Sequence, residues 1–221
     1  MVVMRDYINQ LLQLFKKHYV EHKNTYISLM LALFGIPLLY AYLSKNSVTV
    51  ATLYVTMVLV SMAVVLHVST VGLRARRDFI LTNTLPVSTA TNYSFILLNS
   101  VVVAFALVAV CYFPALAIAK AIYPPMPEFD WAYDVFFGNY RTYLGILATH
   151  GVLLIVNLVG KKRIFLTYLV ALLLAMAVQF MINEYVAVEW RENAKLIGNI
   201  LLIFVAWIGG YFILRNYQIR S

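Results

Sequence analysis

The chain has 221 residues, of which 63% are hydrophobic and only 12% charged, and its 17 Lys and Arg against 9 Asp and Glu give a formal net charge of +8. That composition leaves too little polar surface to cover a water-soluble globule, so a soluble domain is excluded. The single cysteine, Cys111, excludes an internal disulfide and a cysteine-based metal site.

Residues 2–19 read as a helix with Val3, Met4, Tyr7, Ile8, Leu11, Leu12, Leu14, Phe15 and Tyr19 on one half of the wheel and Asn9, Gln13, Lys16 and Lys17 on the other. An amphipathic helix of this kind is expected to lie in a membrane interface, with lysines towards the headgroups. Six apolar stretches follow: Tyr26–Leu43, Val48–Leu73, Tyr93–Ala117, Tyr143–Gly160, Ile164–Ile182 and Leu196–Leu214. Each is roughly 18 to 26 residues, enough to cross about 30 Å of hydrocarbon. The expected fold is therefore all-α: a polytopic membrane protein with six transmembrane helices, preceded by an amphipathic interfacial helix. Its parts are an interfacial helix and lead-in over 1–25, a six-span domain over 26–215, and a tail over 216–221.

Short connections predict hairpins at Lys45-Asn46-Ser47 and at Lys161-Lys162-Arg163. The segment 74–88 is the longest gap between spans on its side, and it mixes Arg74, Arg76, Arg77 and Asp78 with Phe79, Ile80, Leu81 and Leu85. A short helix ending before Pro86 fits there, and Ser88 can cap the helix that follows. Pro114 is expected to kink or end the third span. Trp131, Tyr133, Phe136, Phe137 and Tyr140 then suit an interfacial aromatic belt, and Asn183 to Ala194 reads as a smaller loop before the last span.

Alternate gaps are basic, which orients the chain. The N-terminal region, 74–92, 161–163 and the tail carry 12 Lys and Arg, whereas the other three gaps carry 5 together with six acids. Basic residues near span ends stay in the cytoplasm, so both termini are expected to be cytoplasmic. The positive charge then reports topology and contact with anionic lipid, not nucleic-acid binding. The first 25 residues are too polar for a signal-peptide core, so no cleavage is expected.

Polar residues at membrane depth are candidate sites because they are costly there: His67, His150 and Asn157 foremost, with Asn99, Gln179 and Asn199. Neutral His and amides also serve as interhelical hydrogen-bond partners, and that structural role is favoured. No Asp, Glu, Lys or Arg falls near the middle of a span, which speaks against a proton or sodium relay. His-Glu-x-x-His, Gly-x-Ser-x-Gly, paired intramembrane Asp and a phosphate-cradling Gly-x-x-x-x-Gly-Lys-Ser/Thr loop are all missing, so no catalytic, cofactor-binding or metal residues are assigned.

The chain resembles the membrane (permease) subunit of type-2 ABC transporters, in the compact form found among Bacteroidetes. The resemblance begins at Phe15-Lys16-Lys17-His18-Tyr19 and Lys23-Asn24-Thr25-Tyr26, similar to that family's basic, tyrosine-containing lead-in. It is best at Arg77-Asp78-Phe79-Ile80-Leu81-Thr82-Asn83-Thr84-Leu85-Pro86-Val87-Ser88, where Leu-Pro-Val-Ser matches a family segment, and it returns at Asn157-Leu158-Val159-Gly160-Lys161-Lys162-Arg163-Ile164-Phe165-Leu166-Thr167. The glycine-threonine pair of many type-2 permeases is absent, and the loop 183–194 is too short for the outer re-entrant helices of larger exporters.

The resemblance implies a transport subunit of the bacterial inner membrane, without ATPase motifs of its own and without cofactors, driven by a separate ABC-type ATPase. By the same resemblance Arg76, Arg77, Asp78, Phe79, Leu81, Leu85 and Pro86 are ATPase-docking candidates in a coupling helix. A second permease subunit, as a homo- or heterodimer, would complete the path. The alternative is a non-transporting membrane anchor or assembly subunit that holds a soluble partner.

Overall fold

The computed structural model describes residues 2–45, 53–71, 88–123, 140–159, 184–185 and 187–219, and every regular element among them is helical. The helices are α1 (Val2–Glu21), α2 (Lys23–Ser44), α3 (Tyr54–Val71), α4 (Thr89–Leu97), a π-helical turn over Leu98–Val103, α5 (Ala104–Ile122), α6 (Tyr140–Val159) and α7 (Val188–Ile219). Five helical stretches are long and apolar enough to cross a membrane: α2, α3, α4 through α5 as one continuous rod, α6 and α7. The fifth stretch of the sequence reading, Ile164–Ile182, and both charged turns at 72–87 and 160–163 lie outside the described residues. So do the aromatic residues from Trp131 to Phe137.

The first of two compact units holds α1 to α5. Helix α2 begins directly after α1, with only His22 between them at φ −113°, ψ 18°, and the backbone bonds from His22 N to the His18 carbonyl and from Tyr26 N to the His22 carbonyl bridge the bend. Its buried residues Tyr26, Leu29, Leu33, Pro37 and Ala41 form a stripe at three- and four-residue spacing, and α2 packs on α5. Helix α5 buries Ala104, Val108, Cys111, Tyr112, Ala115, Leu116 and Ala119. Small residues in such a seam let backbones approach closely in the absence of a hydrophobic driving force between helices.

Helix α3 buries Tyr54, Met57, Val58, Ser61, Met62, Val65 and Leu66. It runs antiparallel to the α4–α5 rod: Ser69 meets Asn99, Ser61 donates to the Ala104 carbonyl at 3.3 Å, and the Tyr54 ring lies 5.6 Å from that of Tyr112. The end of α3, the beginning of α4 and the beginning of α2 therefore share one end of the unit. Helix α1 docks at that end.

The second unit holds α6 and α7, which pass closely at Gly151. A Cβ there would lie 2.8 Å from Ala206 Cβ, one on Gly145 would lie 3.9 Å from Asn199 Nδ2, and one on Gly209 would lie 3.7 Å from Ile155 Cδ1. The pairs 145/199, 151/206 and 155/209 ascend together, so the two helices run in the same direction. Outward from α7, Leu201, Phe204, Val205, Ile208 and Phe212 are exposed, as are Leu31, Leu39 and Leu43 on α2. Surfaces this apolar suit lipid as solvent rather than water.

Three boundaries differ from the sequence reading. The rod continues through Pro114 for two further turns to Ile122, because a proline removes only one backbone donor and in an apolar span the remaining backbone groups are best satisfied by staying helical. The expected loop Asn183 to Ala194 is helical from Val188, with Glu189 in the first turn where the helix dipole favours an acid. Glu192 on that turn pairs with Lys195 at 3.3 Å and with Arg141 at the start of α6 at 3.2 Å. The last helix also runs through the expected tail to Ile219. At the far end of α2, Lys45 takes the left-handed conformation at φ 52°, the usual means of ending a helix before a tight turn.

Candidate functional site

Where α1 meets the ends of α2, α3 and α4, five polar side chains close into one buried network around Asn99. Asn99 is 0% exposed and sits in the π-helical turn. The turn has a cause in the packing. Ile96, Ser100, Ala104, Val108 and Tyr112 are all buried at a spacing of four, which drifts by about 40° per step around an ideal α-helix. A wider turn absorbs part of that drift and keeps one face inward. π-Turns recur at functional positions, and this one carries the central residue of the network.

The hydrogens of the network are fixed by its chemistry. Ser69 Oγ donates to the Val65 carbonyl at 2.7 Å, so towards Asn99 it can only accept, and the Asn99 amide nitrogen lies 2.8 Å from it. This sets the amide orientation. Asn99 Nδ2 also donates to Tyr26 Oη at 2.7 Å, while Asn99 Oδ1 accepts from the Tyr19 hydroxyl at 3.1 Å. Tyr26 Oη then spends its own proton on His18 Nε2, 2.9 Å away. His18 is thus an acceptor at Nε2, with its proton on Nδ1.

Aromatic rings wall the network. His18 has the rings of Phe95 at 5.1 Å, Tyr26 at 5.7 Å, Tyr19 at 5.9 Å and His22 at 4.8 Å, and Phe15 meets Phe95 edge-on at 4.9 Å. Burial and the charge of His22 lower the His18 pKa to about 4, and burial raises that of Tyr19. Farther along α1, Gln10 takes a bond from Thr91 at 3.4 Å. Beside Thr91, the Asn92 Nδ2 is buried without a hydrogen-bond partner among the described residues.

Arg76, Arg77, Asp78, Phe79, Leu81, Leu85 and Pro86 lie outside the described residues. His67 is exposed on α3. His150 is fully buried in the second unit with its ring perpendicular to that of Trp207 at 6.2 Å, next to the Gly151 crossing. Asn157 is buried and donates to the Leu153 carbonyl one turn back at 2.8 Å. Within the first unit His18, Tyr19, Tyr26 and Ser69, none of them among the candidates of the sequence reading, converge on Asn99. The signal was available in the buried run at four-residue spacing and in a histidine on the apolar half of α1.

Chemically the network is a hydrogen-bonded chain of neutral groups. Among the described residues no three His, Cys, Asp or Glu come together to hold a metal ion. The chain matches no protein-family model, no curated protein and no solved structure.

Proposed function

We propose that the chain is the permease half of an ATP-driven ABC exporter, crossing the bacterial inner membrane six times with both termini cytoplasmic and coupled to a separate ATPase through residues 74–88. The carrying observation is that segment itself: Arg76, Arg77 and Asp78 beside Phe79, Leu81 and Leu85, closed by Leu85-Pro86-Val87-Ser88, between two helices of spanning length. A surface of mixed charge and apolar side chains suits insertion into a groove on a soluble partner.

Two features support the reading. The helices that flank the segment in sequence, α3 and α4, are tied by Ser69 to Asn99 and by Thr91 to Gln10 of α1. Helices α6 and α7 run in the same direction, an arrangement that one further, returning crossing between them in the sequence would suit. Ile164–Ile182, about 28 Å long as a helix, has the length and composition for that return. Six spans with two such halves facing each other would enclose a path that one half alone would not.

The test is copurification of the tagged chain with its partners, alongside a Phe79→Ser, Leu81→Ser variant. The parent should bring down an ABC-type ATPase, and the variant should lose most of it while remaining membrane-inserted, since neither residue falls in one of the apolar stretches of the sequence. Equal recovery by the variant would remove the docking assignment. Recovery of a soluble partner that is no ATPase would favour the membrane-anchor reading.

A further inference from the structure

We infer that His18 is a protonation latch for α1: neutral, it clips the helix to the ends of α2, α3 and α4, and protonated, it releases it. The geometry rests on which atoms have protons to give. Nε2 of His18 accepts from the Tyr26 hydroxyl at 2.9 Å, and the Asn99 amide nitrogen, whose two hydrogens go to Ser69 and Tyr26, stands 3.2 Å away. A proton arriving from solvent on Nε2 turns that acceptor into a third donor. The Asn99 amide cannot reverse to meet it, because Ser69 needs its N–H and Tyr19 occupies its carbonyl oxygen. Tyr26 would have to accept a second hydrogen and turn its own towards the Tyr19 hydroxyl. A buried cation with no opposite charge beside it is costly, so the favourable response is for the ring to leave with its helix.

Around His18 the titratable groups are His22 from the bend, Tyr19 from α1 and Tyr26 from α2, while α3 contributes Ser69 and α4 with the π-turn contributes Phe95 and Asn99. Lys17 and Glu21, the charged neighbours on α1, pair with each other at 4.0 Å. Among the described residues no carboxylate reaches the ring to hold a charged form.

Helix α1 is built to move as a unit once unclipped. His18 and half-buried Tyr7, Leu11, Leu14 and Phe15 face the bundle, whereas Ile8 and Leu12 are 45% and 60% exposed on a separate apolar arc and Gln13 and Lys16 are exposed on a polar one. A helix with its own apolar and basic arcs can stay in a membrane interface after it leaves the bundle. The pKa of His18 is held below the 6.5 it has when solvated, so the latch is fully closed above about pH 6.5 and loses stability as pH falls towards about 4. Loss of the neighbouring His22 charge would let the clipped state tolerate protonation better and should weaken the opening on acidification.

The experiment places nitroxides at exposed Gln13 on α1 and exposed Ser44 at the far end of α2, in the full chain carrying Cys111→Ala, and reads their distance distribution by double electron–electron resonance from about pH 7.5 to about pH 4. The parent should show a narrow distribution that broadens on acidification, His22→Gln should broaden less than the parent at the same pH, and His18→Gln should show no pH dependence in this range. Broadening of His18→Gln with the parent's profile, or a parent that stays narrow throughout, would overturn the latch. Should His18→Gln fail to fold, an unmoved profile in His22→Gln overturns it as well.

Discussion

At the scale of single residues, Asn99 carries more than its size suggests. One amide satisfies Tyr26, Ser69 and Tyr19 at once, and through Tyr26 it fixes the tautomer of His18. Asn99→Ala leaves the Tyr19 hydroxyl without that acceptor and Ser69 and Tyr26 without that donor, in a place closed to bulk water. Each buried polar group left unpaired costs about 1–3 kcal/mol in water-soluble proteins, and interhelical bonds in membranes average nearer 0.6. The expected outcome is a loss of about 1–3 kcal/mol for the variant as a whole, read as a lower thermal midpoint in detergent. A midpoint equal to the parent's would show that water replaces the amide.

At the scale of elements, close approach rather than polarity distinguishes the second unit. Gly151 is the one glycine of those described where a side chain would collide with a neighbour, at 2.8 Å from Ala206 Cβ, because two long helices pass there without room for another carbon. Gly151→Val should push α6 and α7 apart and cost about 1–3 kcal/mol by overpacking, measured as a lowered thermal midpoint. Gly209→Ala is the matching control, since its new carbon would stand at an ordinary contact distance of 3.7 Å from Ile155. Equal midpoints for the two variants would mean that the crossing opens without cost. Helix α1 behaves differently from its sequence pattern. Its apolar half divides between a bundle-facing arc through Phe15 and His18 and an outward arc through Ile8 and Leu12, a division that a two-sided wheel does not express.

At the scale of the molecule, direction is the property under test. On the proposed topology, the charge asymmetry of 12 basic residues against 5 would put residues 74–92 and the gap around Asp130 on opposite sides of the membrane. Cysteines introduced at Asn83 and at Asp130, in a Cys111→Ala background, should react with a membrane-impermeant maleimide from opposite sides of inverted and right-side-out vesicles. Reaction from the same side would overturn the topology, and with it the proposed coupling to a cytoplasmic ATPase.

The sequence alone determined that the chain is helical and built from apolar rods of membrane-spanning length, because length and hydropathy are local and a bilayer permits few backbone solutions. It located α2, α3, α6 and the rod through Ala117 to within a few residues, and it missed the extension of α7 because Glu189, Glu192 and Lys195 lower the local hydropathy without breaking a helix. Only the tertiary structure decided which polar residues matter together. His18 and Asn99 are 81 positions apart, and nothing local links a histidine before the first span to an amide in the third. Their meeting depends on α1 folding back at His22 and on a π-turn that rotates Asn99 inward. Both are consequences of packing three helix ends around a shared set of donors and acceptors.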